Sequence, residues 1–449
     1  MPSCSVHVRW RPSSDGPCLS HRSAKDEASG SRYNLNVSGT LANGRQLEWT
    51  SPSACFSSIF HPSHTNLHVF QQLIEPALEK LLSVGGSALC FAYGHTGSGK
   101  THTIIGYGKE AGLSRLAAQR ILSELQAFNA RAGLLQDTRL GLAVRLVELR
   151  KSTVLDLMNH RTECHVRQGA DGRMHVRGAT EMLEDGKVRV RPTVARACWD
   201  MRQLDRALED ALSLRSVGTS PVHNQSSRTH AVLEFEIVHR HLIAARELVI
   251  QRESELVPVG KRATDVYIEE QMRGMIIDED GKGYKPNPAY TIDQERIDVA
   301  EAAKAECEDR LDAAKRAAEE LLANAKMRAQ SVGAPVAGTR LVFVDLAGAE
   351  YSTGSVAAAP QTSLERQEGR QINTDLLALK EVIRARASRQ SRIPYRNSPL
   401  TMVLKEHFEH ELAPQDTSFM ILNVAEASAQ LTATVNTLQF GSLVGLVAG

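Results

Sequence analysis

Gly94, His95, Thr96, Gly97, Ser98, Gly99, Lys100 and Thr101 fill every fixed position of the pattern G-x-x-x-x-G-K-[ST], and no other stretch constrains this chain as tightly. The glycines let backbone N–H groups converge on phosphate oxygens where a Cβ would obstruct them. Lys100 can reach the β- and γ-phosphates, and Thr101 places a hydroxyl on Mg²⁺. An apolar run at 88–93 precedes the loop and a helix can start after it. Strand, loop and helix in that order argue against a chance glycine-rich turn and for a nucleoside triphosphate site.

A triphosphatase also needs groups that sense the third phosphate. Residues 340–346 are nearly all apolar and carry Asp345, suited to bind the Mg²⁺ shell through water. Gly348 follows with a backbone N–H free to approach the γ-phosphate. Further strands are expected at 5–10, 142–149, 231–238 and 419–424, and helices at 67–82, 201–214, 364–385 and 399–410. Hairpins are expected around Asn43-Gly44 and across 164–176, with Asp171-Gly172 at the turn. Strands alternating with helices predict an α/β P-loop NTPase whose central, mostly parallel β-sheet has helices on both faces.

Residues 241–338 break this rhythm. The stretch 291–330 is rich in Ala, Glu, Lys and Arg and lacks Gly and Pro. Thr291-Ile-Asp-Gln294 has the form of a capping box. Ala300, Cys307, Ala314 and Leu321 recur every seven residues, with Leu311, Ala318 and Ala325 between them and Lys304 interrupting the seam. The pattern predicts a long helix, either a coiled-coil arm that recruits a partner or a solvated helix lying on its own domain. Asp278-Glu-Asp-Gly281 reads as a surface turn, because Ile276 stands where a calcium loop needs an oxygen ligand.

Net charge over the 449 residues is +1, and motifs interleaving basic and aromatic residues are absent, which counts against a nucleic-acid partner. The seven cysteines are scattered without a C-x-x-C pair, so a zinc site or disulfide framework is not expected and reduced thiols are. The start of the chain has no secretory pattern and no run is apolar enough to span a membrane, so a soluble cytoplasmic protein is expected.

With these residues in view, the sequence resembles the kinesin motor domain. Tyr93-Gly-His-Thr-Gly-Ser-Gly-Lys-Thr-His-Thr103 is similar to that family's nucleotide loop, Ser226-Ser-Arg-Thr-His230 to switch I, and Asp345-Leu-Ala-Gly-Ala-Glu350 to switch II. Arg9-Trp-Arg-Pro12 matches the segment flanking adenine, and further matches follow in family order to about residue 441. The resemblance implies a motor domain over 1–449 with a helical insertion at about 241–338. It implies ATP and Mg²⁺ as cofactors, with Thr101, Ser227 and Asp345 around the metal and Arg228 pairing with Glu350 when ATP closes the site. Ser226 belongs to the same switch, Arg11, Pro12 and His102 would hold the adenine, and Arg9 would join the nucleotide-binding residues in the segment flanking it. Arg215 sits at the family spacing before switch I. The implied activity is microtubule-stimulated ATP hydrolysis by a microtubule-binding protein of the cytoskeleton. The implied filament contacts are Arg384, Arg386, Arg389, Arg392 and Arg396, with Pro399 in place of the family's lysine.

Departures from the family pattern motivate a second reading, a non-motile nucleotide-binding scaffold. His223 replaces the usual asparagine before switch I, Tyr351 and a neutral stretch at 352–362 replace a basic loop, and the basic end of the last helix with its neck linker is not recognisable before Gly449.

Overall fold

The computed structural model describes residues 4–13, 18–26, 32–41, 43–134, 136–151, 153–168, 174–182, 188–215, 228–277, 283–349, 363–410 and 417–447. Its centre is a twelve-stranded sheet. From one edge the order is Val188–Pro192, Met174–Met182, Thr162–Gln168, Thr153–Asp156, Gly141–Arg150, His230–Val238, Arg340–Asp345, Ser87–Tyr93, Thr417–Ala425, Cys4–Arg11 and Ser58–Phe60. Arg196–Cys198 adds a further pairing to Gly141–Arg150.

The expected α/β class holds, and the sheet is mixed. The five strands from Arg340–Asp345 to Ser58–Phe60 run parallel, and these surround the glycine loop. The rest pair antiparallel, so the expectation of a mostly parallel sheet is corrected on that side. The reason is local: Gly141–Arg150 turns directly into Thr153–Asp156, and a tight link of that kind reverses the chain, whereas parallel neighbours need a crossover.

Continuous apolar strands arise because both faces are covered. Along Ser87–Tyr93, Ala88, Cys90 and Ala92 join one core cluster, while Leu89, Phe91 and Tyr93 join the other. The first cluster is closed by the helices Glu75–Val84, Leu113–Arg131 and Met201–Leu214, the second by Ser363–Ala387, Pro399–His410 and Leu431–Val447. Each fully buried Leu or Phe contributes about 2 kcal/mol of transfer free energy to this sandwich.

Expected strands and helices recur within a few residues of their sequence bounds. The helix expected at 67–82 contains a π-helical stretch, Phe70–Ile74, between two α-helical parts. The hairpin at Asn43-Gly44 joins Arg32–Thr40 to Gln46–Thr50, with Gly44 at φ +79°. Thr162–Gln168 and Met174–Met182 form the other hairpin, whose turn at Asp171-Gly172 lies outside the described residues, as does 278–281.

Between Val238 and Arg340 the chain leaves and re-enters the sheet at the end opposite Asp345. It forms two helices, Arg240–Arg273 and Gln294–Val332, joined through a small ribbon of Met275–Ile277 and Tyr284–Pro286. The second helix begins later than the capping box suggested. Asp293, not Thr291, is the N-cap, accepting from the Arg296 N–H at 2.9 Å, and an ionised carboxylate is the stronger acceptor there. The heptad seam is occupied by the chain itself. Cys307, Leu311 and Ala314 are buried, the two helices pack on each other, and Leu321, Leu322 and Ala325 reach the first core cluster. Glu270 clasps the base of the pair, accepting from the Tyr290 hydroxyl at 2.5 Å and from Arg296 Nη1 at 2.5 Å.

Candidate nucleotide site

Ser87–Tyr93, buried throughout, delivers the glycine loop to the C-terminal end of the parallel strands. Gly94 is required by close approach, since a Cβ there would lie 2.2 Å from the Asn423 carbonyl oxygen and 2.7 Å from Ser98 Oγ. The loop ends in the short helix Lys100–Ile104, capped by Gly99.

Lys100 is 5% exposed and its Nζ donates to the His95 carbonyl at 2.8 Å. Burial lowers its pKa to about 8, with Asp345 opposing that shift and Arg215 adding to it. Thr101 Oγ1 donates to Asp345 Oδ2 at 2.8 Å, and Arg215 Nη1 meets the same oxygen at 2.8 Å. Asp345 Oδ1 is buried and has no hydrogen-bond partner, as are Thr96 Oγ1 and Ser98 Oγ. Unpaired buried polar atoms cost about 1–3 kcal/mol each. Hydroxyl donors in the loop and a spare carboxylate oxygen beside Thr101 fit a triphosphate and a hard cation respectively. Among the described residues no cluster of three or more His, Cys, Asp or Glu side chains could hold a metal ion.

A cleft of about 760 Å³ runs from this loop along Arg9, Arg11, Pro12, His64, His102, Tyr107, Glu110 and Asn423. Its volume is within the range of small-molecule sites, about 300–1,000 Å³. Arg11 is exposed and donates to the Gly97 carbonyl, and Pro12 is exposed beside it. Arg9 is different: it is 7% exposed and donates to Asn66 Oδ1 and, at 2.8 Å, to Thr103 Oγ1. It braces the cleft from behind. His102 Nε2 lies 3.1 Å from Glu110 Oε2, and His95 Nε2 lies 2.8 Å from Gln430 Oε1. Burial lowers the His95 pKa to about 4, so its ring is neutral at pH 7.

Glu110, Asn66, His64 and Asn423 were not singled out from sequence. Only Asn423 carried a signal, as an amide inside the apolar run 417–425; its Nδ2 donates to Thr103 Oγ1 at 2.7 Å.

The backbone at 347–349 folds directly onto the loop. The Ala349 N–H donates to the Gly94 carbonyl at 3.2 Å. A Cβ on Gly348 would stand 2.2 Å from Thr96 Oγ1 and 2.6 Å from Thr96 N, so only glycine brings this backbone so close. Arg228 Nη1 lies 3.6 Å from Glu368 Oε2. Ser226, Ser227, His223, Glu350 and Tyr351 lie outside the described residues, and with them the expected Arg228–Glu350 pair and the Ser227 metal contact.

Of the arginine cluster, Arg384, Arg389, Arg392 and Arg396 are exposed. Arg386 is half-buried with its guanidinium 4.8 Å from the Phe408 ring centroid, tied to the core rather than presented to solvent. Among the described residues no helix is long and apolar enough to cross a membrane.

The kinesin motor domain family model matches residues 9–259 and 320–447, leaving the distal part of the helical pair unmatched. Human kinesin-like protein KIF24 is 25% identical over 389 residues, which are 87% of this chain and 20% of that protein. Kinesin-like protein KIN-13B of Arabidopsis thaliana is 24% identical over 87% of this chain and 39% of its own length. The chain thus spans between a fifth and two fifths of these relatives. Among solved structures, the motor domain of the Kar3-like kinesin from Ashbya gossypii superposes with a TM-score of 0.55 at 18% identity, covering 98% of this chain and 99% of that one. A KIF14 dimer in complex with a microtubule gives 0.56 at 17% identity, covering 99% and 94%.

Proposed function

The chain belongs to the kinesin motor domain family, and from that premise we propose that it is a Mg²⁺-dependent ATPase that binds microtubules and is stimulated by them. Kinesin motor domains are generally ATPases, and nucleotide is generally bound with Mg²⁺. The observation that carries the reading is the Thr101–Asp345–Arg215 junction beside a loop whose buried hydroxyls lack partners. Magnesium there would be held by Thr101, Ser227 and Asp345 and would neutralise phosphate charge. Lys100 supplies a positive charge at the β- and γ-phosphates, and the loop N–H groups and the Thr96 and Ser98 hydroxyls donate to phosphate oxygens. The Gly348 N–H would sense the γ-phosphate, and Arg228 with Glu350 would hold the switches closed over it. The base would rest on Arg11, Pro12 and His102, with Arg9 behind them.

The exposed arginines 384, 389, 392 and 396 suit acidic tubulin, and attraction of that kind is screened within about 10 Å at 0.1 M salt. The protein would accordingly be microtubule-associated, in the cytoplasmic cytoskeleton. The helical pair at about 241–338 would be an insertion into the motor domain, its seam filled from within and its charged outer face open to solvent.

ATP turnover and microtubule cosedimentation at low salt, with and without nucleotide, test this reading. Turnover that rises with microtubules supports it. Nucleotide binding with no stimulation would instead favour the non-motile scaffold.

A further inference from the structure

Building on the ATPase reading, we propose that Asp375 is a positioning residue that acts through His230 on the switch II backbone at Ala347 and Gly348. His230 opens the strand His230–Val238 and is 2% exposed. The Ala347 N–H donates to His230 Nδ1 at 3.0 Å. Nδ1 is therefore the acceptor nitrogen, and the ring proton belongs on Nε2. That nitrogen is buried without a hydrogen-bond partner, and Asp375 Oδ2 faces it at 3.7 Å.

Asp375 is itself 4% exposed. Gln371 Nε2 donates to its Oδ1 at 3.1 Å, which leaves Oδ2 for the ring. A cavity of about 10 Å³ is lined by His230 and Asp375 together with Arg228, Glu368, Gln371 and Ile372, so the carboxylate has room to close on Nε2. Carboxylate, imidazole and backbone amide then stand in series. In such a series the carboxylate fixes which nitrogen carries the proton and how the ring is turned, and so holds what the other nitrogen holds.

What it holds is the backbone that meets the phosphate loop. Ala347 is pinned by His230, Ala349 by the Gly94 carbonyl, and Gly348 lies between them against Thr96. Asp375 sits midway along Ser363–Ala387, the helix whose far end carries the exposed Arg384. Glu368, two turns earlier on that helix, faces Arg228. A shift of this helix changes the hold on Ala347 and thereby the position of the Gly348 N–H.

The test uses the full chain with Asp375→Asn and Asp375→Glu, read by steady-state ATPase, amide hydrogen exchange and thermal midpoint. Asp375→Asn is expected to lower kcat on the order of tenfold, the lower end of what losing a carboxylate that orients a functional imidazole costs. KM for ATP should stay within about twofold, because the loss falls on turnover and not on uniform binding. Exchange should quicken at 347–349 alone, and Asp375→Glu should restore part of kcat. Unchanged kcat with unchanged exchange at 347–349 would overturn the assignment. So would a lower thermal midpoint with faster exchange throughout the chain, which marks a purely structural carboxylate. If the unsubstituted protein turns over no ATP, the ATPase reading fails by itself, and exchange at 347–349 still decides the role of Asp375.

Discussion

Thr101 Oγ1 and Asp345 Oδ2 stand 2.8 Å apart, joining the first turn after the phosphate loop to the end of the neighbouring parallel strand. Arg215 completes the junction from the end of the helix Met201–Leu214, and both it and Asp345 are buried. Removing one member of a buried pair leaves an uncompensated charge and costs about 3–5 kcal/mol. Asp345→Ala should therefore lower the unfolding free energy by about 3 kcal/mol or more, measured by urea denaturation. Unchanged stability would mean that the Arg215 charge is balanced elsewhere.

In the proposed nucleotide site, Lys100 would give binding a pH dependence of definite sign. Its pKa in the free protein is about 8, because burial disfavours the ammonium. A bound triphosphate favours the ammonium, so binding takes up a proton. Affinity should be full below pH 8 and fall as pH rises above it, by up to about tenfold per pH unit. Titrating a fluorescent ATP analogue between pH 7 and pH 9.5 measures this. A flat profile would show that Lys100 keeps its charge without the ligand.

The glycine loop, Asp345 and Gly348 were legible because phosphate chemistry fixes residue type and spacing together. The strand cores were legible because the central sheet is covered on both faces, which leaves unbroken apolar runs. The side pairings were legible only in part. Apart from the hairpin expected across 164–176, nothing in 141–192 distinguished an antiparallel meander from further parallel strands, since that depends on link geometry. The Glu110–His102 and Asp375–His230 contacts join residues whose roles lie in their partners, and single positions carry no such signal. Arg386 read as one more surface charge until its stacking on Phe408 placed it against the core.

Glu236 predicts the acid limb of stability. Burial opposes its ionisation, but Arg340, Arg246 and Arg145 outweigh that and hold the carboxylate well below the usual range. A depressed folded pKa contributes stability that is present above the ordinary value of 4.5 and is lost as pH falls below it. Glu236→Gln should cost about 3 kcal/mol at pH 7 and flatten the decline below pH 4.5, measured by urea midpoints across pH. An undiminished acid decline in the variant would assign that limb to other carboxylates.

Pro258 sits inside the continuous helix Arg240–Arg273. It removes one N–H and crowds the preceding turn, at a cost of about 3 kcal/mol in a helix interior. Pro258→Ala should raise the thermal midpoint and add about 2 kcal/mol to the unfolding free energy. A lower midpoint would mean that the helix pair is built around a bend that proline maintains.

Steady-state ATP turnover with and without microtubules, across a salt series from low to physiological, tests the central claim most directly. The account predicts turnover that rises with microtubules at low salt, loses that stimulation as salt screens the arginines, and vanishes in Lys100→Ala. Turnover indifferent to microtubules at every salt concentration, or surviving Lys100→Ala, would contradict it.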